Sequence, residues 1–214
     1  MKIFFAVAAA TTLAGCTAAR VAPSRDTAAV GADIAWDARR PLSWHDFQGP
    51  VDPNAEAIEV AMTAASLSWR YEYRLERDST SCRYWISSVT ADAVFNPGDS
   101  WVKPGHATAA VLEHEQGHFD LTQVFKERLH TRTASLIGAP VSCPGDTLAS
   151  ARAFAENGAA QTIQREFDAV WQQYTATQAR YDAGTEHGTL LDAQARWSAS
   201  IAQALRSGEW RAPQ

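Results

Sequence analysis

The sequence predicts an α+β fold, with antiparallel strands first and helices after. Three observations carry that prediction. Apolar residues alternate with polar ones over much of 34–95, they recur at intervals of three and four from His106 onward, and Asn96-Pro97-Gly98-Asp99 separates the two regimes. Period two marks a strand with one buried face, and period 3.6 marks a helix with one buried stripe. A run of strands followed by a run of helices is the α+β arrangement.

The chain of 214 residues opens on Met1-Lys2, a short apolar run over 3–13, and Leu13-Ala14-Gly15-Cys16. The run is too short to span a bilayer as a stable helix and reads as a signal peptide. Its end resembles the bacterial lipoprotein processing box. Residues 1–15 are therefore expected to be a lipoprotein signal peptide and Cys16 the lipidated residue. Residues 16–32, with Pro and Gly and no sustained period, read as a flexible tether. Several acyl chains on Cys16 would hold the protein on a membrane, which places it at the bacterial cell envelope as a periplasm-facing, outer-membrane lipoprotein. The folded domain is expected over 33–206, with 207–214 as a C-terminal tail.

Within that domain Ile34 and Trp36 alternate with polar neighbours, as do Ile58, Val60, Met62 and Ala64. Leu67, Trp69, Tyr71, Tyr73 and Leu75 alternate in the opposite phase. The flip around Ala65-Ser66 predicts a bulge in one long twisted strand. A polar turn over 77–81 and a return strand over 84–95 make a long hairpin. The first helix is expected from His106 to about Arg132, with Val111, His114, His118, Leu121 and Phe125 on its stripe. A second helix runs to about Tyr174 on Leu148, Ile163, Phe167, Val170 and Tyr174, with Asn157-Gly158 as a point of interruption. Residues 181–188 read as a short loop. Thr189 and Asp192 resemble a capping box that opens a last helix through Leu190, Trp197, Ile201 and Leu205.

A chain that is 46% hydrophobic with eight tryptophans has the means to build one core. Its net charge of −5 argues against a nucleic-acid partner, which would need a basic surface. With Cys16 assigned to lipid, Cys82 and Cys143 are left, and in an oxidising periplasm they are expected to form a structural disulfide.

The chemistry concentrates in His114-Glu115-Gln116-Gly117-His118. Residues four apart on a helix share a face, so His114 and His118 can present two imidazoles to one Zn²⁺. Glu115 beside them can take a proton from a zinc-bound water. With six histidines and eleven glutamates in 214 residues, H-E-x-x-H is expected by chance about 0.01 times. A catalytic zinc usually takes a third protein ligand. His130 lies about 18 Å along the same helix and His106 about 12 Å from His114, so neither fits. His45 reads as a core or surface histidine. His187, at a loop-to-helix junction, is the expected third ligand, with Asp182 and Glu156 as substitutes. Asp182 is otherwise an acceptor that orients an imidazole. Tyr181 is a candidate oxyanion donor or a packed core tyrosine, and Asp120 an outer-shell acid or helix surface.

Leu42-Ser43-Trp44-His45-Asp46-Phe47-Gln48-Gly49, then His-Glu-Gln-Gly-His-Phe-Asp over 114–120, then Tyr181-Asp182-x-x-Thr185-x-His187-Gly188 together resemble a family of bacterial secreted proteins. That family is a domain of unknown function predicted to be zinc-dependent proteases, and the resemblance spans about 33–206. It implies a zincin-like fold, His114, His118 and His187 as ligands, and Glu115 as catalytic base. The expected function is a zinc-dependent metallopeptidase acting on a peptide or protein, cell-wall peptide included. Trp101-Val102 is the candidate edge strand for an extended substrate. The alternative is a non-catalytic, zinc-stabilised lipoprotein acting as a binding module, whose closed site would take a fourth ligand such as Asp182 or Glu186.

Overall fold

The computed structural model describes residues 31–78, 81–144 and 147–213. The leader, Cys16 and the tether up to residue 30 lie outside the described residues. Five strands, β1 (Ile34–Ala35), β2 (Ala61–Met62), β3 (Ala65–Arg77), β4 (Cys82–Phe95) and β5 (Trp101–Val102), precede α1 (Ala109–Ala134). β6 (Val141–Ser142), α2 (Leu148–Thr185) and α3 (Leu191–Ser207) complete the chain. The protein is thus α+β, with N-terminal antiparallel strands followed by three helices.

β3 and β4 form the long hairpin, paired from Ala65↔Phe95 to Arg77↔Cys82. β4 is the central strand, with β3 on one side and the short β1 and β6 on the other. Alternation sends Leu67, Trp69 and Tyr71 toward the helices while Arg70, Glu72, Arg74 and Glu76 stay exposed. The expected bulge near Ala65 is not there. The phase flip instead marks the passage from β2, which pairs with β5 in a separate two-stranded sheet, into β3. The true irregularity lies between Glu72 and Tyr73, opposite Ser88 and Ile86. Ser87 is the extra residue, which is why the buried set of β4 changes parity from Tyr84 and Ile86 to Val89 and Ala91.

α1 begins later than its period suggested, because Thr108 caps it by accepting from Val111 N, leaving His106 in the preceding turn. Its buried Phe125 and Leu129 face the sheet and the Ile163, Phe167 and Val170 stripe of α2, while Leu121 packs with Tyr181 and with Trp197 and Ile201 of α3. Each such burial stabilises the fold by about 1.5–3 kcal/mol. α2 is not interrupted at Asn157-Gly158. A Cβ on Gly158 would stand 2.3 Å from the Tyr84 hydroxyl, so the glycine serves close helix–sheet approach.

Nor does α2 stop near Tyr174. It runs 38 residues to Thr185, and the stretch 181–185 expected as loop is its last turn. Its buried stripe there is Tyr174, Thr177, Tyr181 and Thr185, at helical spacing but of residues that do not read as apolar. The expected capping box at Thr189 and Asp192 also does not form. Leu190 is the N-cap of α3 without a side-chain bond, and Thr189 Oγ1 donates to the Glu186 carbonyl. The stretch 207–214, expected as a tail, sends Trp210 against Phe125 and Trp197, with ring centroids 6.2 and 5.9 Å apart.

The disulfide joins Cys82 to Cys143 as expected, tying the start of β4 to the residue after β6. Among the described residues no helix is long and apolar enough to cross a membrane.

Candidate metal centre

Three helix segments meet at the first half of α1. His114 is 2% exposed and Glu115 3%, so their polar groups need partners from neighbouring elements. Gly117 admits the first. A Cβ there would lie 2.2 Å from the Tyr181 hydroxyl, so only a residue without one lets α2 approach this closely. Tyr181 stacks on the His114 ring at 4.6 Å and donates its hydroxyl to the His114 carbonyl at 3.1 Å. Gln194 on α3 donates to the same hydroxyl at 2.7 Å. Fully buried and committed in this way, Tyr181 supports His114 from behind rather than facing a substrate, and burial pushes its phenol well above the ordinary range.

The two imidazoles are oriented by amides. Gln194 Oε1 lies 3.2 Å from His114 Nδ1, and Gln178 Oε1 lies 2.7 Å from His118 Nδ1. An amide oxygen only accepts, so each Nδ1 carries a hydrogen and each Nε2 turns inward, toward Asp182 in the metal-free protein and able to offer its lone pair to a cation on losing its proton. Gln178 Nε2 donates back to the His118 carbonyl at 3.0 Å, which fixes its own orientation.

Asp182 stands on the inward side, not behind an imidazole. Its Oδ1 is 3.2 Å from His114 Nε2 and 2.9 Å from His118 Nε2, and those two nitrogens are 3.2 Å apart. Ligand atoms about 2.0–2.1 Å from one tetrahedral ion would be about 3.3–3.4 Å apart. The triangle therefore fits a single small cation. His187 Nδ1 is 3.7 Å from the same carboxylate oxygen. Donor atoms of His114, Asp182 and His187 all lie within 4.8 Å of one another, so this group could hold a metal ion.

His187 reaches the site through a costly turn. Glu186, His187 and Gly188 are all left-handed, with φ of 46°, 53° and 82°. The two non-glycine residues cost about 1–2 kcal/mol each in that conformation. A Cβ on Gly188 would also sit 2.8 Å from His114 Cβ, so backbone sign and contact both require glycine. The turn is held by His187 N to the Asp182 carbonyl at 3.0 Å and Leu190 N to the Thr185 carbonyl at 2.9 Å.

Charge follows this geometry. Burial pulls His118 down, but the hydrogen bond and charge of Asp182 outweigh it and hold the imidazole at about 9. Burial alone would raise Asp182, yet the hydrogen bonds from His114 and His118 keep it well below the usual carboxylate range. Glu115 is different. Its Oε2 is buried with no hydrogen-bond partner.

The other expected residues fall elsewhere. Glu156 is 26 positions before Asp182 on one continuous helix, about 39 Å away, and its carbonyl instead accepts from Tyr71. Glu186, His45, His106 and His130 are exposed. Asp120 accepts from Trp36 Nε1 and Gln116 Nε2 at 2.7 Å each, and Gln116 Oε1 accepts from Leu42 N. It anchors the N-terminal segment onto α1, and burial raises its pKa. Gln178 and Gln194 were missed by sequence reasoning. The available signal was that Gln178 precedes Asp182 by four, which matters only once the helix is known to extend that far.

Compared with protein-family models, curated proteins and solved structures, the chain finds no match in any of the three.

Proposed function

We propose that this protein is a zinc-dependent metallopeptidase of zincin-like fold, held at the cell envelope by lipid on Cys16. Mixed imidazole and carboxylate donors suit zinc. His114, His118 and Asp182 would hold it, with His187 at the rim. When bound, the ion would polarise a substrate carbonyl and lower the pKa of water.

The observation that carries the reading is Glu115, an acid 3% exposed whose Oε2 has no partner beside that donor triangle. A buried carboxylate oxygen left unsatisfied costs free energy that a purely structural site has no reason to bear. As general base, Glu115 Oε2 accepts the proton of the attacking water and delivers it to the leaving nitrogen. Gln178 and Gln194 keep the imidazole tautomers fixed throughout.

The peptide substrate is supported by the strand beside α1. Thr63 Oγ1 donates to the Glu115 carbonyl at 3.1 Å, so the end of β2 lies against the helix at the candidate base. Lys103 N bonds the Val60 carbonyl, so by alternation Val60 and Met62 face β5 while Ala61 and Thr63 turn their backbone groups outward. That edge can hold an extended peptide by main-chain hydrogen bonds. The edge beside the helix is thus β2, and Trp101-Val102, expected in that role, backs it as β5.

Glu115→Gln in the zinc-loaded chain tests the mechanism. It should keep one zinc per chain and lose about 10²–10⁴-fold in hydrolysis of a fluorogenic peptide library. Full activity in the variant would sink it. The second reading, a non-catalytic zinc-stabilised binding module, is favoured by Asp182, which adds a fourth donor to the three histidines. Anomalous scattering that placed all four on the ion, together with an inert wild type, would establish that reading instead.

A further inference from the structure

We infer that the cleft between the end of α2 and α3, on the far side of these helices from the donor triangle, is a binding site for an oxyanion, the carboxylate or phosphate group of a small ligand. The cleft measures roughly 470 Å³ and is lined by Arg180 and Gly184 of α2, by Ala193, Arg196 and Trp197 of α3, and by Pro213. Among the described residues no acidic side chain lines it.

Three donors line it, and none is paired with a carboxylate among the described residues. Arg180 makes only long contacts of 3.3 Å to its own helix, at the Ala176 carbonyl and Thr177 Oγ1. Arg196 follows Asp192 by four on α3, the spacing for an ion pair, and forms none among the described residues. In a chain of net charge −5, two arginines and no described acid lining one cleft make a local reversal of sign.

The third donor is the Trp197 indole. Its ring is packed between Tyr181 at 5.3 Å and Trp210 at 5.9 Å, so its direction is fixed. Its Nε1 is 3.2 Å from where a Cβ on Gly184 would stand, which places the N–H at the cleft wall, and it has no hydrogen-bond partner among the described residues. A neutral donor fixed in direction and two guanidinium forks lining one cleft match an oxyanion with two or three acceptor oxygens. The inference does not rest on the metal: neither arginine nor Trp197 touches the donor triangle.

The test follows the indole N–H resonance of Trp197, assigned as the one lost in Trp197→Phe, in the zinc-loaded full chain. Inorganic phosphate and acetate are titrated separately against sodium chloride of equal ionic strength. A saturable shift with either anion is expected, and the tighter of the two names the ligand's head group. Arg180→Gln combined with Arg196→Gln should weaken that binding about tenfold while leaving zinc content unchanged. An equal shift with chloride, or undiminished affinity in the double variant, would overturn the proposal, the latter because phosphate would then be binding elsewhere, the zinc included.

Discussion

The two halves of α1 are buried to the same depth by different means. Phe125 and Leu129 in the second half are 0% exposed against β-sheet and α2 side chains that are themselves largely apolar. His114 and Glu115 in the first half are 2% and 3% exposed, yet the neighbours of His114 are Gln194, Asp182, Thr185 and Tyr181. Burial of the second half is favourable in itself. Burial of the first half is tolerable only because nearly every polar atom is partnered, and Glu115 Oε2 is the exception. The difference teaches that one helix can carry both a packing face and a cluster of buried polar groups when other helices supply hydrogen bonds to one end only.

That contrast can be broken most severely at Phe125. Phe125→Ala should destabilise the protein by about 3–5 kcal/mol in chemical denaturation, while zinc affinity of the folded fraction stays near wild type. Gly117→Ala acts on both properties at once. Its new methyl meets the Tyr181 ring at 2.2–3.0 Å, so about 1–3 kcal/mol of stability should be lost and His114 should be displaced, lowering zinc affinity as well. Unchanged zinc binding in this variant would show that Tyr181 does not hold His114.

Gln178→Ala should leave denaturation nearly unaltered and weaken zinc binding about 10–100-fold, measured by competition with a chelator. The smallest effect is the pH profile of the metal-free protein. His118 sits at about 9 against an ordinary 6.5, so its contribution is full below 6.5 and fades as pH rises toward 9. Asp182 is depressed below its ordinary 3.8, so its contribution is full above that value and is lost as pH falls. Metal-free stability should therefore peak between about pH 4 and 6.5, whereas zinc, which needs a neutral imidazole, should remove the alkaline decline. A metal-free protein equally stable at pH 6.5 and 9 would contradict the His118–Asp182 pair.

Much of this was legible in the residues. The period-two and period-3.6 regimes placed the hairpin and the helices, and His114 and His118 fell on one face because the α-helix repeats every 3.6 residues whatever surrounds it. Cysteine arithmetic was enough for Cys82 and Cys143. Local patterns failed where the packing partner decided the outcome. Gly158 looks like a helix interruption until Tyr84 is seen resting on it, and nothing local to Gly117 announces that Tyr181 packs there. The last turns of α2 read as loop because their buried residues are threonines and tyrosines, whose burial depends on partners outside the window. Asp182 shows the division most clearly. The sequence by itself determined that two imidazoles and a carboxylate share the first half of α1, since those relations are short-range and helical. Only the tertiary structure decided that Asp182 meets both Nε2 atoms, at 3.2 and 2.9 Å, while His187 stands farther out, 3.7 Å from the carboxylate. That meeting requires two helix segments more than sixty residues apart to approach across a glycine, and no local periodicity encodes such a distance.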